Sequence, residues 1–315
     1  MVDLKLRLPE GFLEEEERCG YRVSAQMKQL WAVQLDLLAQ LQQVCQRHGL
    51  TYYADSGTLI GAVRHGGYIP WDDDIDIVMK REDYDRLLAL GPEEFREPYF
   101  LQSAYSDGFT RGFARLRNTR TTALTRFDFG KDYDHGIFID IFPLDELPDG
   151  GLRRALWLLR VKVTSRLMVM GVFYEPERLK NPVEKAACRA LRCCFAKDGR
   201  LLRYFRRYEK LCAKYNGRGG RGISYVAYSH GKRKHLWERA SFERSHETPF
   251  EFTHINIPDG YDARLRTEYG DYMTIRRTPT VHGDMVFDAG LPYEEYEKTH
   301  DPEWIRKALG LDERA

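Results

Sequence analysis

Four aspartates stand close together at Asp72, Asp73, Asp74 and Asp76, and the last of them leads into an apolar run. Side chains two residues apart on a β-strand share one face, so the spacing predicts that Asp74 and Asp76 project together. Two carboxylates held that close repel each other unless a cation lies between them, and carboxylate oxygens suit Mg²⁺ or Mn²⁺. A solvated acidic turn is the alternative. The apolar residues around Asp76 argue against it because they predict a buried strand.

A further carboxylate, Asp140, lies inside the apolar segment 136–142, which reads GIFIDIF. An aspartate on a core strand is either hydrogen-bonded to the backbone or engaged with a charge or a metal ion. In-line phosphoryl transfer uses carboxylates that converge on two cations. We therefore predict that Asp74, Asp76 and Asp140 bind metal in a phosphoryl-transfer site.

A polar turn, Ser56-Gly57-Thr58, stands where a predicted strand gives way to a helix, just ahead of the acidic run. Glycine lets the backbone approach a ligand closely, and the free N–H groups at the start of a helix favour phosphate. Ser-Gly turns are common, so the signal comes from the position of the turn. These three residues are predicted to bind the phosphates of a nucleotide.

Basic residues follow at Arg64 and His65 on the same short helix, and Arg115 and Arg117 share one face of a later predicted strand. Guanidinium groups bind pyrophosphate through paired hydrogen bonds. Arg64, His65 and one of the two strand arginines, Arg115 first, are therefore predicted to neutralise it. A surface salt bridge is the alternative for the first two. The nearby Tyr68 and Trp71 are either core residues or aromatic faces for a quaternary ammonium group.

The elements that must position these residues alternate between helix and strand. Apolar residues recur at helical spacing between Ser24 and Gly49, whose types cap the two ends of a helix. Strands are predicted over residues 50–54, 75–79, 99–102, 113–117 and 137–142, and helices over 58–64 and 81–90. The alternation predicts an α/β or α+β core, a mixed sheet flanked by helices.

Charge is distributed unevenly along the chain. The total is +1, but residues 151–215 hold 17 Lys and Arg against 5 Asp and Glu, a local charge of +12 that leaves −11 for the remainder. We predict an N-terminal arm at 1–23, a catalytic core at 24–150, a basic helical insertion at 151–215 and a mixed region at 216–315 that packs on the core.

The near-neutral total charge predicts no nucleic-acid partner. The sequence shows neither an apolar run of membrane-spanning length nor a signal peptide, and the predicted location is the cytoplasm. Basic and apolar residues interleave over 152–166. This pattern predicts either an amphipathic helix at the inner face of an anionic membrane or an ordinary helix with a solvated basic face.

The segment 53–77, YADSGTLIGAVRHGGYIPWDDDIDI, closely resembles the LicD family. The resemblance continues at further positions, namely Met79, Arg81, Asp83, Tyr84, residues 136–145 and residues 269–273. It implies a phosphotransferase of the nucleotidyltransferase fold, in a family whose members include enzymes that move phosphocholine from CDP-choline to cell-surface glycans. It also implies Asp74 and Asp76 as the metal-binding pair, Asp140 as the third carboxylate, and Ser56-Gly57 as the phosphate-contacting turn.

Some positions depart from the pattern of that family. LicD proteins often have Gly-Gly where this chain has Ser56-Gly57, and commonly Lys where it has Arg115. They usually continue from the Tyr-Gly-Asp-Tyr-Met segment into a Pro-Pro pair and a later His. Here residues 276–279, RRTP, intervene, and His282 is the nearby candidate.

These observations predict metal-dependent transfer of a phospho-alcohol group, phosphocholine first, from a CDP-alcohol to a hydroxyl of a cell-surface glycan or its lipid-linked precursor, with release of CMP. Asp140 or Asp72 would deprotonate that hydroxyl. Two alternatives stay open: a nucleotidyltransferase that modifies a small hydroxylated molecule with an NTP, and a binding module that has the fold without catalysis. The sequence leaves open which phosphorus is attacked.

Overall fold

The structure, a computed structural model, describes residues 1–277 and 285–311. The elements up to the long central strand are β1 Glu16–Arg18, β2 Tyr21–Val23, α1 Ala25–His48, β3 Tyr53–Ala54, α2 Ser56–His65, β4 Asp76–Lys80, α3 Arg81–Glu94, β5 Tyr99–Gln102, β6 Ala114–Asn118, β7 Thr122–Leu124 and β8 Ile137–Leu147. Those that follow are α4 Gly151–Val172, α5 Pro182–Phe195, α6 Arg200–Cys212, β9 Gly222–Ser224, α7 Val226–Ser229, β10 Trp237–Glu238, β11 Ser245–Phe250, β12 Thr253–Pro258, α8 Tyr261–Tyr269, β13 Val286–Asp288, α9 Tyr293–Thr299 and α10 Pro302–Ala308.

A seven-stranded mixed sheet is organised around β8. On one side β4 pairs with β8 in parallel, and β3 pairs with β4 in the antiparallel sense. On the other side the first half of β8 pairs with β6, which carries β5, and the second half pairs with β9, which carries β10. Helix α1 packs on β8 and β6. The predicted α/β class, a mixed sheet flanked by helices, is confirmed.

Helix α1 begins and ends at the capping residues that its sequence predicts. The Met27 N–H donates to the Ser24 hydroxyl at 3.1 Å, and Gly49 ends the helix with φ 59°, a conformation that glycine adopts at little cost. Most of its apolar residues, among them Leu30 and Leu38, are buried in the main core. The helix predicted between Ser24 and Gly49 is confirmed, including both caps.

Three predicted strands differ in their bounds from the strands in the structure. Only Tyr53–Ala54 of the predicted strand 50–54 pairs with a neighbour. Strand β8 runs beyond residue 142 because its far end pairs with β9. Asp74 lies before β4, which begins at Asp76, so strand alternation is the wrong reason for expecting the two side chains together.

The N-terminal arm lies on the core. Strands β1 and β2 form a hairpin, and apolar side chains of the arm, including Leu4, Leu6 and Phe12, pack against the main core cluster. The Leu6 N–H donates to the Asp36 carboxylate at 2.7 Å. These contacts tie the arm to α1.

The basic segment 151–215 is helical, as predicted, with α4, α5 and α6 as its elements. A separate apolar cluster, which includes Trp157, Phe205 and Tyr208, joins α4 and α6 to Leu147 at the end of β8. Within the part of the chain that the structure describes, every helix is too short or too polar to cross a membrane.

Candidate active site

A cavity of about 620 Å³ collects most of the residues that the sequence predicts for the site. Eight of them line it, namely Ser56, Gly57, Arg64, Asp72, Asp74, Asp76, Arg115 and Asp140. Asp73 and several basic and aromatic residues from later parts of the chain complete the wall. The cavity therefore brings together the turn, the acidic run and the core aspartate.

The sheet holds two of these carboxylates side by side. Asp76 and Asp140 are register partners on the adjacent parallel strands β4 and β8. Burial, followed by the charges of Asp74 and Asp140, raises the pKa of Asp76 well above its ordinary value. The fold maintains this repulsion, which a bound cation would relieve.

The acidic turn ahead of β4 brings its own carboxylates together. One oxygen from each of Asp72, Asp73 and Asp74 lies within 4.8 Å of the others. Helix α1 fixes the backbone of the turn, because Trp31 Nε1 donates to the Asp72 carbonyl at 2.9 Å and Gln34 Nε2 donates to the Asp73 carbonyl at 2.8 Å. The sequence pattern gave Trp31 only an apolar role and gave Gln34 no role.

Burial, then the neighbouring Asp74 and Asp73, raises the pKa of Asp72 well above its usual range. Carboxylate oxygens crowded in this way are the donors that a hard divalent cation selects. Among the described residues, the acidic turn is the group whose candidate ligand atoms approach this closely. The residues fit Mg²⁺ or Mn²⁺, and the binding of metal by Asp74, Asp76 and Asp140 stays a prediction.

The Ser56-Gly57 turn lies directly against the acidic turn. Ser56 has φ 49°, in the left-handed region that favours glycine. A Cβ built on Gly57 would meet Asp72 Oδ2 at 2.5 Å. The position of the Asp72 carboxylate therefore leaves no room for a side chain at residue 57, whether or not a ligand is bound.

We expect Gly57→Ala to lower activity by about 10- to 100-fold, because the new methyl group displaces the Asp72 carboxylate. Gly151→Ala is the matched control, since a Cβ there meets nothing within 4 Å. Initial rates and thermal midpoints of both variants make the comparison. Full activity of Gly57→Ala would show that the position of Asp72 is unimportant.

Of the other residues predicted to bind phosphate, Arg64 lines the cavity and Thr58 and His65 do not. Thr58 is buried and its hydroxyl accepts a hydrogen bond from the Asp76 N–H at 2.9 Å, so its side chain positions β4 and does not line the cavity. His65 also lies off the cavity wall and accepts from Arg64 Nε at 2.9 Å. Arg64 lines the cavity and donates to the carbonyls of Tyr272 and Thr274. The Thr58 and His65 side chains therefore lie outside the cavity wall, and their direct binding of phosphate stays a prediction.

Arg115 is buried between two carboxylates. Its Nε donates to Asp140 Oδ1 at 2.7 Å and its Nη1 donates to Asp128 Oδ2 at 2.9 Å. Although burial opposes it, Arg115 with Arg111 holds the pKa of Asp128 well below its usual range. Arg115 thus orients Asp140, and its contact with phosphate stays a prediction. The sequence gave no signal for Asp128.

A second ion-pair cluster ties the C-terminal region to the site. The fully buried Arg264 donates from Nη2 to Asp55 Oδ2 at 2.7 Å, and its Nη1 lies 2.8 Å from Glu268 Oε2. Glu268 lies 3.2 Å from His235 Nε2. Asp55 directly precedes the Ser56-Gly57 turn, so the ion pair with Arg264 links that turn to α8. The sequence missed this cluster.

Four aromatic rings form a cluster on one wall of the cavity, and we call Phe113, Phe142, Tyr225 and Tyr228 the aromatic cluster. The Phe142 ring lies 4.5 Å from Phe113 and 5.1 Å from Tyr228. Tyr228 is 46% exposed, and burial together with the charges of Asp76 and Asp140 raises its pKa to about 12. Of the two aromatic residues that the sequence proposed, Trp71 lines the cavity, whereas Tyr68 is buried and stacks on Trp31 at 4.5 Å.

Comparison with known proteins agrees with this geometry. The family of LicD/FKTN/FKRP nucleotidyltransferase domains matches residues 49–162, the segment that carries the carboxylates and β8. Lipopolysaccharide cholinephosphotransferase LicD of Haemophilus influenzae is 29% identical over 248 residues, which are 76% of this chain and 89% of the relative. The chain is therefore similar to the LicD family, through its segment 49–162 and through the longer match to the Haemophilus relative.

Two further relatives match over shorter stretches. The uncharacterized protein RP689 of Rickettsia prowazekii is 31% identical over 137 residues, 44% of this chain and 47% of the relative. Ribitol 5-phosphate transferase FKRP of Homo sapiens is 45% identical over 40 residues, 13% of this chain and 8% of the relative. This chain thus spans less than half of the length of either protein.

The departures from the LicD pattern have structural explanations. Ser56 occupies a backbone conformation that glycine adopts readily, which is compatible with the Gly-Gly that LicD proteins often have at this turn. Arg115 donates to Asp140 from Nε and to Asp128 from Nη1. A lysine at this position would have a single ammonium group for both carboxylates. His282 lies outside the described residues.

Proposed function

We propose that this chain transfers phosphocholine from CDP-choline to a hydroxyl of a cell-surface glycan or its lipid-linked precursor, and releases CMP. The proposal rests chiefly on one cavity in which the Asp76–Asp140 pair, basic side chains and the aromatic cluster meet. Phosphoryl transfer needs little more, because its catalysis is mostly positioning and charge neutralisation. The name of the Haemophilus relative supports phosphocholine as the transferred group and a glycan as the acceptor.

The aromatic cluster favours choline over an uncharged alcohol. A quaternary ammonium group binds to aromatic faces by cation–π attraction and cannot donate hydrogen bonds. Tyr228 offers an exposed ring next to Phe142, and the carboxylates of Asp76 and Asp140 are near enough to affect its pKa. A cation is therefore stabilised on this wall by both rings and charge. The relative named for ribitol 5-phosphate transfer matches only 13% of the chain, so it supports a phospho-alcohol group in general.

Basic side chains supply the partners for the pyrophosphate. Arg64, Arg111, Lys232, Lys234 and Arg276 all line the cavity. The first N–H groups of α2 lie on the same wall through Ser56 and Gly57, and a helix start favours phosphate. The proposed cofactor is Mg²⁺ or Mn²⁺, which Asp74, Asp76 and Asp140 would hold. When bound, it would neutralise pyrophosphate oxygens and the charge that develops on the leaving group.

In the proposed reaction, the acceptor oxygen forms a bond to the phosphorus that carries the choline. The bond from that phosphorus to the bridging oxygen breaks, and CMP leaves with the bridging oxygen. The acceptor proton passes to a carboxylate. Asp72 is the better candidate, because Asp140 already accepts a charged hydrogen bond from Arg115, whereas no ion pair of Asp72 occurs among the described residues.

Calorimetric titration with CDP-choline, CDP-ethanolamine, CDP-glycerol, CDP-ribitol, CTP and ATP, with and without Mg²⁺, tests the donor. We expect CDP-choline to bind tightest and only with Mg²⁺. Tyr228→Leu should weaken CDP-choline by about tenfold and CDP-glycerol by less than about twofold, because cation–π attraction is lost for choline alone. Tyr228→Phe is the matched control and should bind as the parent does.

Tightest binding of CTP or ATP would contradict the proposal and favour the nucleotidyltransferase that modifies a small hydroxylated molecule. Equal losses for CDP-choline and CDP-glycerol in Tyr228→Leu would remove the choline assignment while leaving phospho-alcohol transfer intact. Nucleotide binding without any dependence on metal would favour a binding module.

A further inference from the structure

Helix α4 exposes an apolar stripe on the side opposite its buried face. The buried face includes Trp157, Val161 and Met168, which pack on the helical region. The exposed large apolar residues of the helix are Leu152 at 76%, Leu156 at 56%, Leu159 at 57%, Val163 at 52% and Leu167 at 38% exposure. At about 100° per residue these five fall within an arc of roughly 80°, and we call them the α4 stripe. Core packing therefore does not explain them.

Basic residues border the α4 stripe on both sides. By helical spacing, Arg153 and Arg160 lie on one edge and Lys162 and Arg166 on the other. Only Arg166 has an acidic partner nearby, with Glu184 at 3.8 Å, in the part of the chain that the structure describes. The sequence of α4 contains no Asp or Glu. A stripe of apolar residues bordered by basic residues, without acidic ones, is typical of a helix that lies in the membrane–water interface.

We propose that the α4 stripe docks on the surface of an anionic lipid bilayer, with its leucines among the acyl chains and its Arg and Lys side chains at the phosphates. Charge selects this occupant. A second copy of the chain meeting at the same stripe would place cation against cation, which opposes a symmetric interface. An anionic surface instead attracts every basic residue that borders the stripe.

The position of the stripe gives the docking a consequence. At the C-terminal end of α4, Lys131 Nζ donates to the Val172 carbonyl at 3.3 Å, and the Arg111 guanidinium lies 5.2 Å from the Phe173 ring centre. Arg111 lines the active-site cavity. A bound membrane would therefore lie next to the cavity and present a lipid-linked acceptor there. Only this consequence rests on the proposed function, and lipid docking stands without it.

Vesicle flotation of the full chain tests the docking. The probes are vesicles of phosphatidylcholine alone and vesicles with equal parts of phosphatidylcholine and phosphatidylglycerol. We expect binding to the anionic vesicles that weakens as salt rises. The triple variant Leu156→Gln, Leu159→Gln, Val163→Gln and the triple variant Arg160→Gln, Lys162→Gln, Arg166→Gln should each bind more than about tenfold more weakly.

Exposed residues away from the stripe give matched controls. Trp304→Gln removes an exposed apolar side chain of α10, and the pair Arg7→Gln, Lys298→Gln removes basic charge elsewhere. Both should bind vesicles as the parent does, and circular dichroism should show all variants folded, since the substitutions are on the surface.

Three results would overturn the proposal. The first is equal binding of the parent to neutral and anionic vesicles, and the second is unchanged binding of both triple variants. The third is a parent dimer that the leucine variant dissociates while neither protein binds vesicles, since the stripe would then be a protein interface. All three readouts omit nucleotide, so failure here is distinct from failure of the donor assignment.

Discussion

Asp76→Asn should abolish transfer, lowering kcat by about 10³-fold or more, while raising the free energy of unfolding of the metal-free protein by about 1–2 kcal/mol. The reason for both effects is the same pair of carboxylates. Asp76 and Asp140 face each other across adjacent strands, with Asp74 close by. Removing one charge relieves a repulsion that the fold maintains only for its function. Activity assays and chemical denaturation measure the two effects.

The matched control is Asp198→Asn, which changes an exposed aspartate outside the cavity and should alter neither quantity. Addition of Mg²⁺ should raise the thermal midpoint of the parent and of Asp198→Asn but not that of Asp76→Asn. A strongly destabilised Asp76→Asn with retained activity would mean that Asp76 is a structural residue.

Arg264→Met should lower the free energy of unfolding by about 3–5 kcal/mol, because it leaves the Asp55 carboxylate buried without its cation. Arg264 is fully buried, lies between Asp55 and Glu268, and stacks over Trp237 with its guanidinium 3.8 Å from the ring centre. Asp55 supports the phosphate-binding turn, so activity should fall together with stability. Urea denaturation and initial rates test this.

Arg266→Met on the same helix is the control, since its pair with Asp262 is exposed and should contribute less than about 1 kcal/mol. Adding Asp55→Asn to Arg264→Met should restore part of the stability, because a neutral amide replaces the stranded carboxylate. Additive losses in the double variant would show that Asp55 and Arg264 do not act as a pair.

The sequence predicted the parts of the site that are local in the chain. The acidic run, the Ser56-Gly57 turn and the apolar setting of Asp140 lie in short segments whose spacing shows in the sequence. The caps of α1 were predictable for the same reason, because a cap needs only a few neighbouring residues. Strand alternation failed for Asp74, since a strand starts only where it has a partner to pair with.

The residues that support the site were not predictable, because their partners are distant in sequence. Arg264 binds a carboxylate 209 residues away, and Gln34 holds a turn 39 residues away. Periodicity reports which face of an element is buried, and it does not report which polar group meets which. The role of Arg115 changed for this reason, since its second partner, Asp128, lies in a segment without regular pattern.

Turnover of CDP-choline in ¹⁸O-labelled water, with mass analysis of the products, tests most directly which phosphorus is attacked. When no acceptor is present, water takes its place. Attack at the phosphorus that bears choline places the label in phosphocholine, and attack at the other phosphorus places it in CMP. We expect Mg²⁺-dependent release with the label in phosphocholine, and none above background in Asp76→Asn. Label in CMP, or consumption of CTP in preference to CDP-choline, would contradict phosphocholine transfer.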